Sequence, residues 1–184
     1  GVDVVALGLD GARWGTPIPG LSRLAAPRQY RERRRRLREV IDLVGASDYA
    51  RRPIGRCSGG EQQRLLIAQA VVRQPELLLL DEALESLDVA SQSSISALVR
   101  DICRDEGVTV MIVAHDVNPI LPYLDRVIYI GAGTAVSGTP DKVITADQLS
   151  LLYGIPVEVL RDHSGRLFVV EPDAPSGHHP GDYL

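Results

Sequence analysis

The chain has 184 residues, 45% of them hydrophobic and 24% charged, with a mean hydropathy near zero, which suits one domain, or a domain with a small appendage, built around its own core. A formal net charge of -4 excludes a global field that recruits nucleic acid or an anionic membrane. Two distant cysteines, Cys57 and Cys103, exclude a disulfide framework, and the short apolar runs exclude a membrane-spanning helix, which needs about 20 residues.

The N-terminus does not have the basic-then-apolar order of a secretory signal, so a reducing cytoplasm is the expected setting and any membrane association is peripheral. Residues 1–27 read as an apolar opening, VDVVALGL, followed by a loop rich in Gly, Pro and Arg. From Gln29 the residues Leu37, Val40, Ile41 and Val44 recur at steps of three and four, giving one buried stripe on an amphipathic helix that Gly45 ends. The same helix carries Arg31, Arg33, Arg34, Arg35, Arg36 and Arg38. That run reads as a solvated face, with an acidic protein, lipid headgroups or nucleic acid as alternative contacts.

Ser58 is placed to cap a helix that runs to about Arg73 and closes at Pro75. ELLLLD, residues 76–81, then reads as a strand apolar on both faces, the mark of a parallel sheet covered by helices on each side. A helix from Val89 to Glu106 stops at Gly107, and VTVMIVA leads to His115 as a second buried strand. Strand, helix, strand in this order is a right-handed parallel crossover. DRVIYI and TAVSG read as two strands joined at Gly131 to Gly133, residues 140–153 as short helices, and residues 157–170 as a hairpin turning at His163 to Gly165. The last dozen residues form a polar tail in which His178 and His179 read as solvent-exposed residues or as a metal-binding pair.

Chemistry concentrates in CSGGEQQRLLIAQAVVRQPELLLLDE, residues 57–82. A helix N-terminus offers unpaired N–H groups and the positive end of a dipole, and Gly59 and Gly60 let an anion approach that backbone. Asp81 and Glu82 stand where a buried strand opens into a loop, the edge at which open α/β sheets bind ligands. Adjacent carboxylates there are costly unless a cation or a reacting water uses them. His115 ends the next strand on the same rim, where it is placed to contact a phosphate oxygen or orient a water. Asp88 begins a helix, either as a plain N-cap or with a further role.

These motifs resemble the nucleotide-binding subunits of ABC transporters: a signature Cys57-Ser58-Gly59-Gly60-Glu61-Gln62, a Walker B strand Leu77 to Asp81 followed by Glu82, a D-loop Ser86-Leu87-Asp88, and a switch His115. Cys57 stands where the family usually has Leu, Glu61 where it has Gln, and Ala83 where it has Pro. The resemblance implies an incomplete P-loop NTPase-like α/β ABC ATPase fold with part of a helical subdomain and a parallel-sheet core. Residues 1–74 would be the partial helical subdomain, 75–153 the ATPase core, and 154–184 a C-terminal hairpin and tail. It implies ATP and Mg2+ as cofactors, with Asp81 holding Mg2+ through its water shell, Glu82 polarising the attacking water and His115 sensing the γ-phosphate. Ser58, Gly59 and Gly60 would cap the γ-phosphate of ATP bound to the opposite subunit, and Asp88 would couple the two sites.

A P-loop needs G-x-x-x-x-G-K-[ST]. The only lysine of these 184 residues is Lys142, in TPDKV, with no glycine loop before it. The chain alone is therefore expected not to turn over ATP, to be a truncation of a longer product, and to leave unpaired strand edges and an uncovered apolar face where the P-loop strand would sit. Asn118 and Pro119 after His115-Asp116, and Leu-Tyr-Gly followed by Pro-Val-Glu-Val, resemble ATPases of zinc or manganese importers. The implied partners are a second nucleotide-binding subunit, in a homodimer or heterodimer, a transmembrane permease and, indirectly, an extracytoplasmic metal-binding protein, with no nucleic acid, at the cytoplasmic face of the cell membrane. The alternatives are a regulatory ABC-like subunit lending its signature to a complete partner, or an ABC ATPase for another cargo such as an iron chelate. A DNA-maintenance ABC ATPase would need long coiled coils, and no sustained heptads appear.

Overall fold

The computed structural model describes residues 1–10, 27–131, 133–163 and 165–170. The Gly/Pro/Arg-rich loop and the tail with His178 and His179 lie outside the described residues. The chain forms two compact units, residues 1–115 and 116–184.

In the first unit the apolar opening forms helix α1 (Val2–Asp10), which lies against the signature helix α3 (Gly59–Val71). The crossing is close: a Cβ on Gly8 would stand 2.1 Å from the Gln69 carbonyl oxygen, so only glycine fits there. Of the stripe the periodicity predicts on helix α2 (Pro27–Leu43), Val40, Ile41 and, one residue past the helix, Val44 are buried and Leu37 is half-buried. It ends in a Schellman motif, with Gly45 at φ +66° and the amides of Ala46 and Gly45 donating to Ile41 and Asp42.

Strand β1 (Leu77–Asp81) and strand β2 (Thr109–Val113) pair in parallel through helix α4 (Val89–Glu106), with Asp81 opposite Val113. Gly107, at φ +67°, ends α4. Coverage of this pair on both faces is corrected: Leu78 is buried, but Leu77, Leu79, Met111 and Val113 on the other face are each half or more exposed. With two strands in this sheet among the described residues, the second apolar face has no layer packed on it. This is the uncovered face expected where a P-loop strand is missing.

The second unit is a hairpin of β3 (Val127–Gly131) and β4 (Thr134–Gly138), with helices α5 (Pro140–Val143) and α6 (Ala146–Tyr153). Its core is Leu121, Val127, Val143, Ile144, Leu149 and Val157. A second hairpin, β5 (Glu158–Arg161) and β6 (Leu167–Val170), is held by Asn118. The Asn118 side chain donates to the Val169 carbonyl at 3.0 Å and accepts from the Val169 amide at 2.9 Å, standing in for a paired strand. Among the described residues no helix is long and apolar enough to cross a membrane.

The arginine run of α2 is solvated only in part. Arg35 pairs with exposed Glu32 and Glu39, whereas Arg36, largely shielded, donates to the Val71 and Val72 carbonyls that end α3 and to Glu106 at 2.8 Å. A cation belongs at a helix C-terminus, where it meets unpaired carbonyls and the negative end of the dipole. Replacing Arg36 with Met is expected to lower stability by about 1.5–3 kcal/mol, since it strands a shielded carboxylate and two carbonyls, while Arg35→Ala shifts it by less than about 1 kcal/mol. Urea denaturation of the two variants checks this; equal effects would show that Arg36 pins nothing.

Candidate active site

The parallel register brings three predicted residues to one edge. Asp81 ends β1, and the Glu82 amide donates to the Val113 carbonyl at 3.0 Å, extending the ladder one residue past the strand. His115 follows β2 by two residues, and its Nε2 lies 2.9 Å from Glu82 Oε1 and 3.4 Å from Glu85 Oε1. Glu82 adopts φ +50° and Ser86 φ +64°, a left-handed backbone that costs a non-glycine residue roughly 1–2 kcal/mol. The Glu82 amide bond to Val113 and the Glu85 amide bond to the Glu82 carbonyl, at 3.0 Å, hold that turn. All three side chains are exposed, so water and a phosphate ligand have direct access to them.

A second group gathers at two helix N-termini. Ser58 caps α3 in a full capping box: its Oγ accepts from the Glu61 amide at 3.3 Å, and the Glu61 carboxylate accepts from the Ser58 amide at 2.8 Å. Glutamate at position 61 therefore completes the cap. Cys57 is buried just ahead of it and packs as a small apolar residue.

Asp88 caps α4, accepting from the Ser91 amide at 2.9 Å and the Ser91 hydroxyl at 2.7 Å. The two N-termini touch. A Cβ on Gly60 would come within 3.0 Å of Ser91 Oγ, and one on Gly59 within 3.3 Å of a Leu87 methyl. The signature glycines thus have a packing reason as well as the anion-binding one given by sequence. Further along the helices, Arg64 donates to Ser94 and to the Val44 carbonyl, each at 2.6 Å. Among the described residues no hydrogen bond or ion pair joins this group to Glu82 and His115.

Sequence reasoning did not single out Glu85 or Ser91. Glu85 lies three residues after Glu82, and Ser91 three after Asp88, spacings that put both pairs on one turn. The donor chemistry fits the implied cofactors: exposed Asp81 offers the hard carboxylate oxygen that Mg2+ takes, and the α3 N-terminus offers amides to a phosphate.

Residues 13–85 match the family described as ABC transporter. Among curated relatives, the chain is 37% identical over 119 residues to the zinc import ATP-binding protein ZnuC of Paramagnetospirillum magneticum, covering 65% of this chain and 45% of that protein. It is 42% identical over 119 residues to the methionine import ATP-binding protein MetN of Mesorhizobium japonicum, covering 65% and 33%. Among solved structures, it superposes with a TM-score of 0.74 and 20% identity on an inward-facing transporter assigned to the metal-chelate type of ABC transporter, covering 92% of this chain and 66% of that one. It also superposes with a TM-score of 0.55 and 26% identity on the dimeric ATP-binding cassette MJ0796 bound to ADP and Pi, covering 75% and 55%. Residues 13–85 thus match part of an ABC transporter, and the fold is that of the ATP-binding cassettes it superposes on. The chain spans less than half the length of these two curated relatives.

The Asp88 carboxyl is held below the usual carboxylate range, first by the Ser91 hydroxyl and then by the Ser91 amide. A depressed folded-state pKa gives stability that is present above the unfolded pKa and lost as pH falls through the folded one. Asp88→Asn keeps a cap but does not titrate. Its melting temperature is therefore expected to fall less steeply than the parent's on acidification below the carboxylate range; parallel curves would mean that the Ser91 contacts do not hold the charge.

Proposed function

We propose that this chain is the signature and Walker B portion of an ATP-hydrolysing subunit that energises metal-ion uptake, zinc or manganese, by an ABC transporter. The observation that carries the catalytic part is the 2.9 Å contact between His115 Nε2 and Glu82 Oε1 at the carboxyl edge of a parallel strand pair. In this reading Glu82 polarises the attacking water and His115 holds Glu82 while contacting the γ-phosphate. Asp81 holds Mg2+ through water, and Mg2+ when bound neutralises charge on the phosphates. Ser58 and the amides at Gly59 and Gly60 cap the γ-phosphate of ATP carried by a facing subunit, and Asp88, through its contact with Ser91 beside Gly60, links the two sites. Positioning and charge neutralisation of this kind supply most of the catalysis of phosphoryl transfer.

The partners in this reading are a second nucleotide-binding subunit and a membrane permease, with the assembly on the cytoplasmic face of the cell membrane. The dimeric cassette bound to ADP and Pi supports the facing subunit. The zinc-import relative supports a metal cargo. A second reading, import of another small solute, is favoured by the methionine-import relative.

With a Walker A segment joined to this chain, Glu82→Gln is expected to lower Mg2+-dependent ATP hydrolysis by about 100-fold or more while nucleotide binding persists. An unchanged turnover in that variant refutes the role of Glu82.

A further inference from the structure

We infer that Glu82, Glu85 and His115 form a binding site for a divalent transition metal of the Zn2+ or Mn2+ class, whose occupancy switches the hydrolytic edge off. An imidazole nitrogen and two carboxylate oxygens converge, all within 4.8 Å of one another. His115 Nε2 stands 2.9 Å from the Glu82 oxygen and 3.4 Å from the Glu85 oxygen. Metal bonds of about 2.0–2.2 Å to His and carboxylate ligands separate neighbouring donors by roughly 3–3.5 Å, so these two edges already have the length of a coordination face.

The donor set selects the metal class. One imidazole and two carboxylates suit Zn2+, Mn2+, Fe2+ or Co2+, whereas Cu(I) prefers sulfur and Mg2+ and Ca2+ prefer oxygen donors throughout. A neutral imidazole has a single N–H, so even in the tautomer that carries it on Nε2 it serves one carboxylate and not both. The second carboxylate then stands close to the first, and like charges at that separation oppose each other unless a cation lies between them. The Glu85 amide bond to the Glu82 carbonyl and the Glu82 amide bond to Val113 keep the two carboxylates and His115 on one side of the edge. Because the three side chains are 49%, 43% and 79% exposed, a metal has an entry path and positions left for water.

Bound there, the metal takes the Glu82 oxygen and the His115 nitrogen out of hydrolysis. This consequence, though not the binding itself, rests on the proposed roles of Glu82 and His115. In a metal-uptake system such a site would let the metal accumulated inside slow its own import.

The test titrates Zn2+ into the metal-stripped chain by calorimetry, and Co2+ as a spectroscopic probe, with no nucleotide present. The His178→Ala/His179→Ala variant serves throughout, so that the tail pair does not contribute. One equivalent is expected to bind, with affinity reduced at least tenfold in both Glu85→Gln and His115→Ala. Absence of saturable binding, or binding that neither variant weakens, overturns the site. A second readout uses the Walker A-joined protein: Zn2+ is expected to inhibit the parent, and Glu85→Gln to need at least tenfold more Zn2+ to halve its own metal-free rate. Equal inhibition of parent and Glu85→Gln overturns the switch. Metal binding intact in a protein that hydrolyses no ATP would instead count against the proposed function and leave the site standing.

Discussion

The parallel pairing of β1 with β2 is the constraint on which the rest of the first unit depends. Parallel strands put both carboxyl ends on the same edge, so the residues that follow Asp81 and Val113 meet without any long-range search. The Glu82 amide bond to Val113 carries this one step further, fixing a left-handed glutamate opposite the residues that lead to His115. A single register thus sets the contact between Glu82 and His115. It also makes the turn from Glu82 to Ser86 a strained segment, of the kind that persists where surrounding structure over-determines it.

The other group of functional residues depends on two helices held side by side. Helices α3 and α4 touch at their N-termini, where Gly60 meets Ser91, and Gly59 meets Leu87 just ahead of α4. Arg64 joins them midway through Ser94, and Arg36 joins their far ends through the last α3 carbonyls and Glu106. The signature backbone and the Asp88 cap are therefore tied together at both ends and between. Contact between the two N-termini is the physical route available to the coupling proposed for Asp88.

Much of this was legible in sequence, because the signals were local. Ser58 and Asp88 followed by apolar periodicity marked the two caps, Gly45 and Gly107 marked helix ends in left-handed backbone, and the leucine run marked β1. Asp81, Glu82 and His115 could be placed on one edge because strand ends predict it. What sequence did not show was long-range. Arg36 is one of seven arginines on one helix, and only the fold selects it to face the end of α3. Full coverage of β1 was inferred from apolar character on both faces, but composition does not say whether a layer is present to cover Leu77 and Leu79. Asn118, read through its likeness to metal-importer ATPases, has a structural task in the second unit, pairing with Val169. The likeness at that position thus speaks to the fold of the hairpin as much as to cargo.

The proposed role, a signature edge serving nucleotide held by a facing subunit, fits 184 residues that contain no G-x-x-x-x-G-K-[ST] loop. The most direct measurement is calorimetric titration of Mg-ATP into the chain alone, and into the chain mixed with a complete nucleotide-binding subunit. No binding to the chain alone is expected from that role, and tighter ATP binding by the partner when the chain with intact Ser58 is present. Saturable ATP binding by the chain alone, or a partner affinity indifferent to the chain, would contradict it.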